Sequence, residues 1–266
     1  MAFLRNILKK AALTILPESI LQQVKKRHYA GTLRSFVIDD EPDLKVVKHL
    51  VNPGDTVADI GANIGVYTKF LSQWVGPSGR VYSFEPISPT FNILKSNVQK
   101  LGLANVEPGN CAISDRNASL RMEVPSYDSG GRDYYDARVV NGESGKSAKS
   151  FVVEAKTLDS LFQSLPSPLA FVKCDVEGHE LQCLRGAQTV IRKFRPAWLL
   201  EISGDPADVN DPTSEVFRLL RAEGYAAFWF DGARLNKWHP GDNSVNCFFL
   251  APQHLRVLEA FFPFQS

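Results

Sequence analysis

The sequence predicts an α/β fold: a doubly wound, mostly parallel sheet with an antiparallel last strand, an inserted β-hairpin and an N-terminal helical appendage. Three observations predict it. From about residue 50, short β-rich runs alternate with helical periodicities, the rhythm of repeated βα units. One run, Ala170–Asp175, is nearly all apolar until its last residue, as a strand buried on both faces reads. The 266 residues are 44% hydrophobic and 22% charged, a globular composition long enough to fill such a core.

The first element stands apart by its charge. Residues 1–34 hold seven Lys or Arg against one acid, so this segment carries +6 and the remainder −5, giving the net +1. Phe3, Leu4, Ile7, Leu8, Ala11, Ala12 and Ile15 fall on one helical face and Arg5, Lys9 and Lys10 on the other, until Pro17 ends the run. Such a helix either packs on the main domain or lies on an anionic membrane through residues 1–16. We therefore divide the chain into a basic helical appendage (1–45), a main domain (46–252) and a C-terminal tail (253–266).

Within the main domain, Thr56–Ile60 is the first strand. Tyr67, Phe70, Leu71 and Trp74 then mark a helix over 64–75, closed by Gly76-Pro77. Arg80–Glu85 is the second strand, and Ser88 as N-cap with Pro89 in the first turn opens a helix whose stripe is Phe91, Leu94, Val98 and Leu101, ended by Gly102. A third strand lies near Val106–Ile113. After the strand Ala170–Asp175, Leu181, Leu184, Ile191 and Phe194 face inward from a helix, and Ala197–Glu201 is the fifth strand. Asp211-Pro212 caps a further helix ending at Gly224, and Ala226–Phe230 and Val245–Leu250 are the last strands. Residues 114–157 break the rhythm: Ser119–Tyr127 and Ser150–Thr157 alternate as hairpin strands around a Gly/Ser-rich stretch.

In a doubly wound sheet ligands sit at the carboxyl ends of the strands. The first strand ends in Asp59-Ile60-Gly61-Ala62-Asn63-Ile64-Gly65, an acid followed by a small-residue turn that opens a helix. This is not the G-x-G-x-x-G turn that presents helix-end amides to a pyrophosphate. An acid before the first glycine and Asn at the third small position suit a cationic amino-acid ligand better, although Asp59 alone would also serve as a turn-capping acid. The spacing resembles the first motif of S-adenosylmethionine-dependent methyltransferases. Glu85, ending the next strand, can accept both hydroxyls of a ribose. Asn110, at the third strand end, offers a donor and an acceptor to an adenine edge, or simply forms a turn.

The fourth strand ends in Lys173-Cys174-Asp175-Val176-Glu177-Gly178-His179-Glu180. Asp175, Glu177 and Glu180 are either acids favoured by a helix N-terminus or groups that act on an acceptor. His179 has the natural pKa of a general base, and Asp175 the better position for one. Glu201 joins them at the fifth strand end or caps its loop. Asp175, Glu177 and Glu201 also suit Mg²⁺, but the chain lacks the D-D-N run of metal-dependent catechol enzymes, and no metal is assigned.

Taken together, D-I-G-A-N-I-G (59–65), F-E-P (84–86), A-I-S-D (112–115), T-L-D (157–159), K-C-D-V-E-G-H-E (173–180) and L-R-G-A (184–187) resemble, in order, the FkbM family of methyltransferases. The resemblance covers roughly residues 50–205. It implies a Rossmann-like methyltransferase sheet, S-adenosyl-L-methionine as cofactor, and a sugar, glycolipid or secondary metabolite as hydroxyl-bearing acceptor. The cofactor-binding set is then Asp59, Gly61, Asn63, Gly65, Glu85 and Asn110, and the acceptor set Asp175, Glu177, His179 and Glu180.

Competing classes leave different marks. A nicotinamide-dependent oxidoreductase would carry the missing glycine fingerprint, and a non-catalytic module would have lost the acids at the fourth strand end. A nucleic-acid methyltransferase would show a basic face or an N/D-P-P-Y/F strand end, so no nucleic-acid partner is expected. Cys111, Cys174, Cys183 and Cys247 form no C-x-x-C pair and read as reduced, mostly buried thiols of a cytoplasmic protein that can touch the inner membrane face. No apolar run reaches transmembrane length, and no clear signal-peptide cleavage site follows the basic start. Tyr134, Tyr135, Trp229 and Trp238 can stack on sugar rings or simply pack.

Overall fold

The computed structural model describes residues 18–125, 137–140, 148–162, 167–242 and 244–265. The basic helix expected over 3–15, and Arg132, Tyr134 and Tyr135 of the insertion, lie outside the described residues.

Nine strands form one sheet. Five are parallel in the spatial order β3 (Val106–Gly109), β2 (Arg80–Phe84), β1 (Thr56–Ile60), β8 (Leu169–Cys174) and β9 (Ala197–Glu201). Beside β9 runs β12 (Asn246–Leu250), antiparallel, followed by β10 (Ala226–Phe230), β11 (Leu235–Lys237) and β13 (Phe264–Gln265). The antiparallel last strand is therefore β12, wedged between β9 and β10. The sequence reading missed β11 and β13, which extend the far edge: both are too short to carry a period. The tail's helix, Pro252–Leu258, buries Leu258 in the core.

Helices cover both faces, as the alternating burial requires. On one face lie α1 (Glu18–Ser35), α2 (Leu44–Leu50), α3 (Val66–Val75) and α4 (Ser88–Leu101); Leu71, Val75, Leu94 and Val98 pack there on Val57, Val81 and Phe171. On the other lie α5 (Leu158–Phe162), α6 (Glu180–Arg185), α7 (Gln188–Phe194) and α8 (Pro212–Ala222), over Ala58, Val172 and Trp198. The single helix expected after the fourth strand is two, α6 and α7, broken at Gly186; a Cβ there would stand 2.0 Å from the Ser114 carbonyl oxygen. Asp211 caps α8 as expected, its carboxylate accepting from the Thr213 amide at 2.9 Å. Ser88 is not the cap of α4: that position is Ile87, and the Ser88 hydroxyl turns to Asn110.

Helix α1 is anchored to the domain. Ala30 and Leu33 are buried, and the Lys69 ammonium donates to the carbonyls of Leu33 and Phe36, both at 2.7 Å. Among the described residues, no helix is long and apolar enough to cross a membrane.

The expected third strand is two. β3 stays in the main sheet, whereas β4 (Ala112–Ile113) joins a second sheet of order β4-β7-β5-β6. The predicted hairpin is β5 (Ala118–Val124) paired antiparallel with β7 (Lys149–Lys156), and β6 (Arg138–Val139) adds an edge. This sheet packs through Met122, Val124 and Val153 against Ile87, beside the carboxyl ends of β1 and β2. The strand order reverses between β1 and β8, which opens a crevice at their ends.

Candidate functional site

The turn after β1 needs glycine for two separate reasons. Gly61 has φ +72° and Gly65 φ +98°, left-handed values costly for a side chain. A Cβ on Gly61 would also stand 1.8 Å from the Asp175 carbonyl oxygen, and one on Gly65 2.9 Å from Leu94 Cδ1. Asn63 takes φ +50°, which its short polar side chain tolerates. The amides of Gly61 and Ala62 both donate to the Phe84 carbonyl, at 3.0 and 2.9 Å, and lock the turn to the end of β2.

Asp59 and Glu85 are buried carboxyls on either side of this turn. Asp59 is 1% exposed; its Oδ2 accepts from the Thr68 hydroxyl at 2.6 Å, while its Oδ1 is buried and has no partner. Burial pushes the Asp59 pKa up, against the pull of Lys173 and Thr68. Glu85 Oε1 accepts from the Ile87 amide at 2.9 Å and Oε2 from the Asn63 amide at 3.1 Å. Burial lifts Glu85 to about 7 even though both amides favour its anion. Asn110 has its side chain engaged with the neighbouring loop after β2: Nδ2 donates to the carbonyls of Glu85 and Pro86 at 2.8 and 3.0 Å, and Oδ1 accepts from Ser88 at 3.1 Å.

A cavity of about 120 Å³ opens beside the turn, lined by Gly61, Asn63, Glu85, Asp175 and Glu177, with Met122 reaching in from the second sheet. Of the expected residues it thus brings together Gly61, Asn63 and Glu85 of the cofactor set and Asp175 and Glu177 of the acceptor set, whereas Asp59, Gly65, Asn110, His179 and Glu180 are not in its lining.

At the far wall the charges interlock. Lys173 is 7% exposed, and its ammonium donates to Asp175 Oδ2 at 3.0 Å and to the Gly61 carbonyl at 3.2 Å. Burial opposes the Lys173 charge, but Asp175 and Asp59 outweigh it and raise its pKa. Burial likewise opposes the Asp175 anion, but Lys173 holds that carboxyl below its usual range. Asp175, Glu177 and Glu201 bring carboxylate oxygens within 4.8 Å of one another. Glu201 Oε2 is buried without a partner, and burial together with Asp175 pushes its pKa up to about 8. Glu177 sits at φ +54° and Gly178 at +91°, so this loop is tightly bent.

The other two acceptor candidates point elsewhere. Glu180, 3% exposed, accepts with Oε1 from the amides of Val176 and Gly178 at 3.0 and 3.3 Å and so holds the bent loop together. His179 Nε2 lies 2.9 Å from the Ser114 hydroxyl, and burial lowers its pKa. It lines a small adjoining cavity with Cys111, Ile113 and Val139, which shares Gly61, Met122 and Val176 with the first.

These residues fit S-adenosylmethionine. The unpartnered Asp59 Oδ1 and the anionic end of β8 suit a cationic group, and each Glu85 oxygen keeps a lone pair for a ribose hydroxyl. Four residues escaped the sequence reading as parts of the site: Lys173, Thr68, Ser114 and Met122. Lys173 carried a usable signal, a charge inside a strand otherwise apolar on both faces. Thr68 and Ser114 carried none, since hydroxyls are ordinary in helices and loops.

Residues 59–227 match the family described as the Methyltransferase FkbM domain. Over 209 residues the chain is 24% identical to the 31-O-demethyl-FK506 methyltransferase FkbM of Streptomyces tacrolimicus, covering 66% of this chain and 74% of that one. Over 166 residues it is 28% identical to the hexuronic acid methyltransferase AglP of Haloferax volcanii, covering 60% of this chain and 62%, less than two thirds, of the relative. A solved methyltransferase FkbM from Methylobacillus flagellatus KT aligns with a TM-score of 0.47 at 18% identity, over 74% of this chain and 44% of that one.

Proposed function

The chain belongs to the FkbM methyltransferase family, and from that premise we propose that it methylates a hydroxyl of a sugar, glycolipid or secondary metabolite with S-adenosylmethionine as donor. The names of two relatives, a 31-O-demethyl-FK506 methyltransferase and a hexuronic acid methyltransferase, support the acceptor class. The observation that carries the reading is the glycine turn flanked by two buried carboxyls, Asp59 with an unpartnered oxygen and Glu85 with both oxygens directed by amides.

When bound, the cofactor supplies a methyl group on a sulfonium sulfur, which leaves by in-line displacement. The residues of the chain then have three tasks. Glu85 and Asn63 seat the nucleoside end, and Asp59 draws the cationic amino-acid end toward the turn. Met122, from the second sheet, narrows the cavity and limits water. Asp175 and Glu177 orient the acceptor hydroxyl, because alignment of the reacting groups supplies most of the acceleration in such a displacement.

The assignment is tested by thermal unfolding with S-adenosylmethionine or NADH, since only a ligand bound by the native state raises the melting temperature. Stabilisation by S-adenosylmethionine alone is expected; stabilisation by NADH alone would replace this reading with an oxidoreductase. Methyl transfer is then read as a 14-Da gain (the ~14 Da of one CH₂) on a panel of uronic and neutral oligosaccharides.

A further inference from the structure

An alcohol gives up its proton as it is methylated, and neither base candidate read from the sequence suits that task. The His179 ring is taken up by the Ser114 hydroxyl at 2.9 Å, and Asp175 is held as an anion by the Lys173 ammonium 3.0 Å away. A third carboxyl stands beside them. β8 and β9 are parallel neighbours with Cys174 opposite Leu200, so Asp175, just past the end of β8, comes beside Glu201, the last residue of β9. Their oxygens lie within 4.8 Å, with Glu177 completing the group, and one Glu201 oxygen is enclosed without a hydrogen-bond donor. Two adjacent carboxyls of which one is pinned to a lysine cannot both stay ionised easily, so the pair holds a proton on the other.

We propose that Glu201 is the group that receives the acceptor proton, and that it becomes competent only when the cationic cofactor binds and displaces the proton it carries beside Asp175. This rests on the S-adenosylmethionine reading above. The charged groups around Glu201 are Asp175 and Glu177 from the β8 loop, Glu180 from α6 and, through Asp175, Lys173 from β8. From β12 the register partner is the neutral Asn246, whose amide donates to Asp43 at 2.8 Å. Every acidic neighbour favours the protonated Glu201, and an added positive charge reverses that balance. In the transfer the acceptor O–H bond breaks and its proton passes to Glu201. The oxygen's electron pair forms the new O–CH₃ bond, and the S–CH₃ pair stays on sulfur, which ends neutral. The local positive charge disappears as Glu201 is reprotonated, which restores the resting pair.

The test needs no acceptor. Calorimetric titrations at pH 7.5 in buffers of different ionisation enthalpy count the protons exchanged on binding. S-adenosylmethionine, with its sulfonium, should release roughly one proton more than the neutral thioether S-adenosylhomocysteine. In Glu201→Gln that difference should vanish while both ligands still bind. A difference that persists in Glu201→Gln, or no difference in the wild type, overturns the proposal and leaves the cofactor reading intact. Failure of either ligand to bind the wild type overturns the cofactor reading as well.

Discussion

The two ends of the cavity are built on different physics. At β1 and β2 the shape is set by backbone: two glycines at positive φ, paired amides on the Phe84 carbonyl, and a carboxyl that accepts two backbone N–H groups. At β8 and β9 it is set by charge: one buried lysine, three carboxylates and no side-chain cap on the helix that follows. The first kind of site tolerates no added atoms, and the second tolerates no altered charges. Lys173 joins them, bonded to the Gly61 carbonyl on one side and Asp175 on the other.

The contrast is broken most severely at Gly61. Gly61→Ala places a Cβ against the Asp175 carbonyl and fixes an L side chain at φ +72°. We expect a loss of ~3 kcal/mol or more in stability, read by urea unfolding, with cofactor binding lost together with it. Unchanged stability would mean that the close approach of β1 and β8 is wrong. At the other end, Asp175→Asn keeps the shape and removes the charge. It should lower methyl transfer by about 10²-fold through loss of a group that orients the acceptor, and lower the melting temperature as well, because the buried Lys173 ammonium loses its carboxylate partner. His179→Ala should cost far less, because its ring is bonded to the Ser114 hydroxyl; a loss as large as that of Asp175→Asn would give the base role to the histidine instead of Glu201.

A smaller effect sharpens the comparison through pH. Glu85 is lifted from 4.5 to about 7 by burial. The stability its neutral form contributes to the cofactor-free protein is complete below 4.5 and is lost as pH rises through about 7. The size is at most ~3 kcal/mol. Glu85→Gln should flatten the fall in unfolding free energy between pH 5 and pH 8, and an unaltered slope would assign that titration to another group.

The same contrast explains what was legible in the sequence. The turn from Asp59 to Gly65 is local, so its glycine spacing declared it, and Glu85 followed from its place at the next strand end. The acid cluster was visible as composition, but its division of labour was not. Glu180 holds its own loop because the chain bends back at Glu177 and Gly178, and no residue type announces that bend. Glu201 meets Asp175 only through the pairing of β8 with β9, and Lys173 meets Gly61 across 112 positions. Asn110 was read as a hydrogen-bonding edge for adenine or a turn former, and the loop after β2 takes up both halves of its amide.

The central claim is that the β1 turn and its buried acid hold a cationic cofactor. The most direct measurement is a calorimetric titration of S-adenosylmethionine into the wild type and into Asp59→Ala, with circular dichroism to follow the fold. Saturable binding is expected for the wild type and no detectable binding for the variant, whose spectrum stays native. Equal affinity in the two proteins would contradict the claim.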